Sequence, residues 1–182
     1  MTATDASWEQ RVDELWQAID NHGGDDFVAR VDSLVAELPA SDAIGLYERG
    51  AAQDSTGHPD RAVALYRAAL DAGLTGTRRR RATIQLASSL RNLGNAAEAV
   101  TLLTAELRAA SDDLDGAVRA FLALALVDTG REREAVATSL VALAKYLPRY
   151  NRSLARYAQE LGTAAAPNSA EMPPGATAPA PD

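Results

Sequence analysis

A glycine followed five residues later by an alanine recurs four times along this chain of 182 residues: Gly24 and Ala29, Gly57 and Ala62, Gly94 and Ala99, Gly130 and Ala135. The glycines stand 33, 37 and 36 residues apart. Each follows a segment with apolar residues at helical spacing and precedes another. Glycine takes the left-handed backbone conformation that closes a helix and reverses the chain. A small residue early in the returning helix lets the two helices approach closely. Helix pairs repeated at a period near 34 residues bury their apolar faces by stacking on one another, so the pattern predicts a stack of helical hairpins.

Residues 116–147 form the plainest copy. Residues 117–127 are apolar around the whole helix except at Arg119, which predicts burial on all sides. Asp128, Thr129 and Gly130 stop that helix, and Ala135, Val136, Leu140, Leu143 and Leu147 recur at helical spacing in the next. Upstream, Ser7 with Gln10 three residues on reads as a capping box for a first helix. A second helix runs from about Asp25 to before Pro39, and Ser41 or Asp42 caps a third. Pro59 suits the first turn of a fourth, and two more cover about 77–93 and 95–110. The expected pairs are therefore 7–38, 41–74, 77–110 and 116–147, within a helical domain of residues 1–162. A last helix, 149–161, covers the end of the stack. Residues 163–182 hold five of the eight prolines among Ala, Ser and Thr and are expected to be a disordered tail.

Composition narrows the function. Aromatics make up 5% against 47% hydrophobic residues, which suits helices packed through alanine and leucine. There is no cysteine, so disulfides and thiolate metal sites are excluded. No basic segment leads into an apolar run at the start and no apolar run approaches bilayer length, so the expectation is a cytoplasmic protein without a membrane anchor. The net charge of −7 argues against a general nucleic-acid binder. It is unevenly spread: −9 over residues 1–54, +4 over 55–110 and −2 over 111–182. The sharpest feature is Arg78, Arg79, Arg80 and Arg81, four charges opposing the dipole of a helix start. They read either as a solvated helix start near Asp54 and Asp71 or as a site for RNA or another anion. His22 with Asp25 and Asp26 suggests helix capping more than a metal. No phosphate loop, nucleophile elbow or zinc pattern is present, so neither an enzyme nor a cofactor is expected.

These helix pairs resemble the tetratricopeptide repeat family. Leu46, Thr83 and Arg119 stand where the family usually has tryptophan, Gly50, Ala87 and Ala123 match its small packing residue, and Leu86 and Leu122 match the leucine before it. Arg49 replaces that leucine in one copy, and Gln53, Leu90 and Leu126 stand in place of the usual tyrosine. The resemblance implies an all-α, right-handed α-solenoid of about nine helices. It also implies the role of a small stand-alone bacterial interaction protein that tends to form homodimers. First helices of successive pairs would line a concave groove for a partner's helix or peptide. The lining would include Ile44, Tyr47 and Ala51, then Arg81, Ile84, Gln85, Ser88, Arg91 and Asn92, then Phe121, Leu124, Val127 and Asp128. Arg81, Arg91 and Asn92 only partly match the clamp with which some members hold a C-terminal carboxylate, and its lysines are missing. Phe121, Leu124 and Val127 would open onto the groove, where a second copy or a folded-back last helix would cover them.

Overall fold

The computed structural model describes residues 5–109 and 111–163. Among these the chain forms nine α-helices and no strand. They are α1 (Ala6–Gln17), α2 (Gly24–Val35), α3 (Ala43–Ser55), α4 (Pro59–Asp71), α5 (Gly76–Asn92), α6 (Ala96–Ala109), α7 (Asp115–Asp128), α8 (Glu132–Ala144) and α9 (Asn151–Thr163). Each helix packs on the next, and the first helices α3, α5 and α7 also touch in turn, which makes the chain an α-solenoid. The proline-rich tail, from residue 164 on, lies outside the described residues.

Local chemistry sets the helix ends. Asp42 caps α3 by accepting from the N–H groups of Ile44 and Gly45 at 2.9 and 3.1 Å. Pro59 opens α4, where its missing N–H costs nothing. Gly57, Gly94 and Gly130 have φ between 72 and 86°, the left-handed turn that three of the four repeats require. The first cap differs from expectation. Asp5, not Ser7, accepts from Trp8 N–H at 2.7 Å, because the helix begins at Ala6 and Ser7 already lies inside it.

The first pair also departs from the repeat register. Gly24 does not close α1; it is the first residue of α2, and a short 3-10 turn, Ile19–Asn21, makes the connection. Ala29 is exposed, whereas Ala62, Ala99 and Ala135 are buried. Phe27 takes the buried position instead, 35 residues before Ala62. The bulky ring needs the longer connection, so the first hairpin is spaced by packing and not by its glycine.

Three apolar clusters run along the stack. Trp8, Val12, Phe27, Val31 and Val35 join the first pair to Ala52. Tyr47, Ala62, Tyr66 and Ala69 pack with Ala82, Leu86 and Leu90 of α5. The opposite side of α5, Ile84 and Ala87, joins Leu103, Val118, Leu122 and Leu126. Thus α5 is buried on two sides and couples the two halves of the solenoid.

The far end corrects a second expectation. α7 is not buried all round: Leu124 and Val127 are 46% and 49% exposed, and Phe121 is half-buried. The reason is where α9 sits. It packs on α8, so closely that a Cβ added at Gly162 would stand 3.2 Å from Ala137 Cβ, and no contact like that between α5 and α7 joins it to α7. The last helix therefore leaves Leu124 and Val127 of α7 uncovered.

Candidate functional site

A cleft of about 570 Å³ lies between α1, α3 and α5. Tyr47, Glu48 and Ala51 of α3 make its floor. Val12, Asp13, Trp16 and Gln17 form the α1 wall, and Thr77, Arg78, Arg81 and Gln85 form the α5 wall. Residues four apart on a helix share a face, which places Asp13 and Gln17 along one wall and Thr77, Arg81 and Gln85 along the other.

The arginine run is where the structure changes the reading most. Four successive residues at 3.6 per turn point in four directions. Arg78 donates to Glu9 at 2.6 and 3.1 Å and to Glu48 at 3.0 Å. Arg79 donates to Glu106 at 2.6 Å. Arg80, 3% exposed, reaches Asp115 at 2.6 Å and lies 3.2 Å from Asp112. Arg81 is exposed and has no carboxylate within ion-pair distance among the described residues. The partners are thus carboxylates of α1, α3, α6 and the approach to α7, and not Asp54 or Asp71. Asp54 instead accepts from Ser89 at 2.8 Å. Three guanidiniums tie α5 to its neighbours and one faces the cleft.

Glu48 closes the base of the cleft. It is 3% exposed, and its two oxygens accept from Trp16 Nε1 at 2.8 Å and from Arg78. Burial raises its pKa, against the lowering effect of those two donors. Burial also opposes the charge on Arg78, but its bonds to Glu9 and Glu48 hold its pKa above the ordinary value. Tyr47 is pushed up to about 12, first by burial and then by the charge of Glu48.

The expected groove residues fall into three sets. Tyr47, Ala51, Arg81 and Gln85 line the cleft. Ile44 and Ile84 pack inward, Ile84 being 5% exposed. Ser88 is half-buried and Asn92 exposed, while Arg91 is paired at 2.6 Å with Asp128 of the next first helix. Phe121, Leu124 and Val127 lie farther along, outside this cleft. The residues missed are those of the α1 wall and Thr77. Taking Phe27 instead of Ala29 as the buried residue of the first pair moves the α1 register and reveals that wall. Elsewhere His22 Nδ1 lies 2.9 Å from Asp26, and among the described residues no three His, Cys, Asp or Glu side chains are placed to hold a metal.

The family model described as tetratrico peptide repeat matches residues 43–161, which is most of the helical stack. The chain belongs to the tetratricopeptide repeat family. No curated protein and no solved structure matches it. A tetratricopeptide repeat domain points to protein–protein interaction, and the family is generally a non-catalytic interaction module. No helix among the described residues is long and apolar enough to cross a membrane.

Proposed function

We propose that the protein is a non-enzymatic scaffold that takes a helix or extended segment of a partner protein in the cleft between α1, α3 and α5. The observation that carries this reading is the rim. Above a floor of Tyr47 and Ala51, both at most 5% exposed, the side chains of Asp13, Gln17, Thr77 and Arg81 make no hydrogen bond or ion pair to any described residue. A floor of buried side chains beneath a few uncommitted polar groups is the chemistry of a recognition site. A photo-crosslinking residue at Gln17 should capture a discrete protein in the source cell, while one at the exposed Ala64 of α4 should not. The same adducts from both positions would refute the reading.

Self-association is part of the same proposal. Leu124 and Val127 are each about half in water, and covering both recovers about 1 kcal/mol apiece. A second copy meets that need, since α9 does not. Light scattering that gives 19.2 kDa, unchanged with concentration, would remove it. The rival reading of residues 78–81 as an RNA or anion patch is left with one free guanidinium. One neutralised phosphate gives a salt slope of only about 0.9.

A further inference from the structure

We infer that the cleft selects an acidic side chain flanked by apolar residues in a peptide segment, and that Arg81 is the residue that reads it. This rests on the proposal that the cleft binds a partner peptide, and names the chemistry of that partner.

Arg78 closes one end of the cleft. Arg78 of α5 clasps Glu9 of α1 at 2.6 Å and donates to Glu48 beneath, so its charge is committed to those two carboxylates. One turn farther along each helix the walls separate and carry Asp13 and Arg81. These two are not within ion-pair distance of each other or of any described partner. The α5 wall supplies Thr77 one turn before Arg81 and Gln85 one turn after it, a row of neutral donors around one cation. Gln85 Oε1 is buried and accepts no hydrogen bond from the described residues, an acceptor that a peptide N–H reaches once the amide turns toward the cleft. Trp16 on the α1 wall, with Tyr47 and Ala51 on the floor beside the paired Glu48, supplies the apolar part of the lining for a side chain next to the acidic one.

The opposite wall sets direction. Asp13 repels a carboxylate on the α1 side, which confines the acidic residue to Arg81 and fixes how the segment lies across the cleft. Guanidinium–carboxylate bonds are strong when partly removed from water and can be bidentate, which suits Arg81 to this task. The rest of the run does not compete, since Arg78, Arg79 and Arg80 are already paired.

Trp16 provides the readout. Its indole N–H donates to Glu48 beneath the cleft, whereas Trp8 is 2% exposed and donates to Leu34 O beneath the first pair. The probes are two octapeptides blocked at both ends, one with a central Leu-Glu-Leu and the other with Leu-Gln-Leu. Titration of the full chain, followed by the Trp16 indole NMR signal, should show the acidic peptide binding at least tenfold more tightly. Arg81→Gln should abolish that preference and Asp13→Asn should tighten the acidic peptide, while Arg152→Gln on α9 should change neither. Equal binding of the two peptides at Trp16, or a preference that survives Arg81→Gln, overturns the inference and leaves the cleft as a peptide site. If neither peptide moves the Trp16 signal while both move signals elsewhere, the cleft reading falls as well.

Discussion

Arg79 and Arg81 stand two residues apart in one run of like charges, and replacing each by glutamate separates a structural charge from a free one. Arg79 Nη1 donates to Glu106 Oε1 at 2.6 Å, and the Glu106 side chain is only 1% exposed. Arg79→Glu removes this donor and sets a second carboxylate beside one that has almost no access to water. Breaking a buried ion pair from one side costs about 3–5 kcal/mol. The Arg79 side chain is 41% exposed, so solvent screens part of the interaction, and Arg80 Nε remains 3.9 Å from Glu106. The expected loss is therefore about 2–3 kcal/mol, a fall in Tm of roughly 4–12 °C for a chain of this size. Arg79→Met, which removes the charge without adding another, should fall between this variant and the parent. Arg81→Glu alters an exposed side chain with no ion-pair partner and should stay within about 0.5 kcal/mol of the parent. Urea unfolding followed by helical circular dichroism, at one pH and salt concentration, reads all three. Equal midpoints for the two glutamate variants would refute the division of the run into ties and a free charge.

Gly50→Ala should destabilise by about 1 kcal/mol in the same urea assay, although alanine favours a helix by about that much. The new Cβ would lie 2.9 Å from the ring of Tyr66, which is wholly buried, and overpacking of that kind costs about 1–3 kcal/mol. Asp115 gives a pH test. The Ser111 hydroxyl first, then Asp112 N–H and Lys145, hold its pKa down to about 2 from 3.8 despite desolvation. A carboxylate with a lower pKa in the folded state contributes stability that is complete above about 4 and is lost as pH falls through about 2. Asp115→Asn should therefore lose about 2 kcal/mol at neutral pH and show a flatter decline between pH 4 and 2 than the parent; parallel declines would contradict the assignment. Leu124→Glu should convert a dimer to a monomer in light scattering with little loss of helix, because the side chain is already 46% exposed within one chain.

The repeat was legible because it depends on local signals. Gly57, Gly94 and Gly130 take the left-handed conformation, and Ala62 and Ala99 disappear into the core, as short-range turn and packing chemistry requires. The first pair misled where a bulky residue overrode the pattern: Phe27 fills the site that alanine fills elsewhere, and the glycine no longer marks the turn. The roles of the four arginines were not legible. Their partners Glu9, Glu48, Glu106 and Asp115 lie 27 to 69 residues away in the chain, and nothing local distinguishes Arg78, Arg79 or Arg80 from Arg81. One signal was available. Glu106 occupies the repeat position held by the buried Ala69, so a carboxylate was due to enter the core and to require a cation there.

The positions of those partners explain why the cleft lies where it does. Along the middle of the stack, successive first helices meet through apolar contacts, as α3, α5 and α7 do. α1 is held differently. Its apolar residues Trp8 and Val12 pack with α2 and Ala52, while its links to α5 are polar, through Glu9 and Arg78. Trp16 joins the same system by donating to Glu48, so one buried carboxylate fixes the angle between three first helices. Ion pairs of this kind are directional and contribute little net stability, since desolvation offsets much of their attraction. Their effect here is geometric. They hold α1 against α5 at the Glu9 end and leave the turns bearing Asp13, Gln17, Arg81 and Gln85 apart, which keeps the cleft open without filling it with apolar side chains. The same arginine run that anchors α5 on both sides therefore also sets Arg81, unpaired among the described residues, on the wall of the cleft.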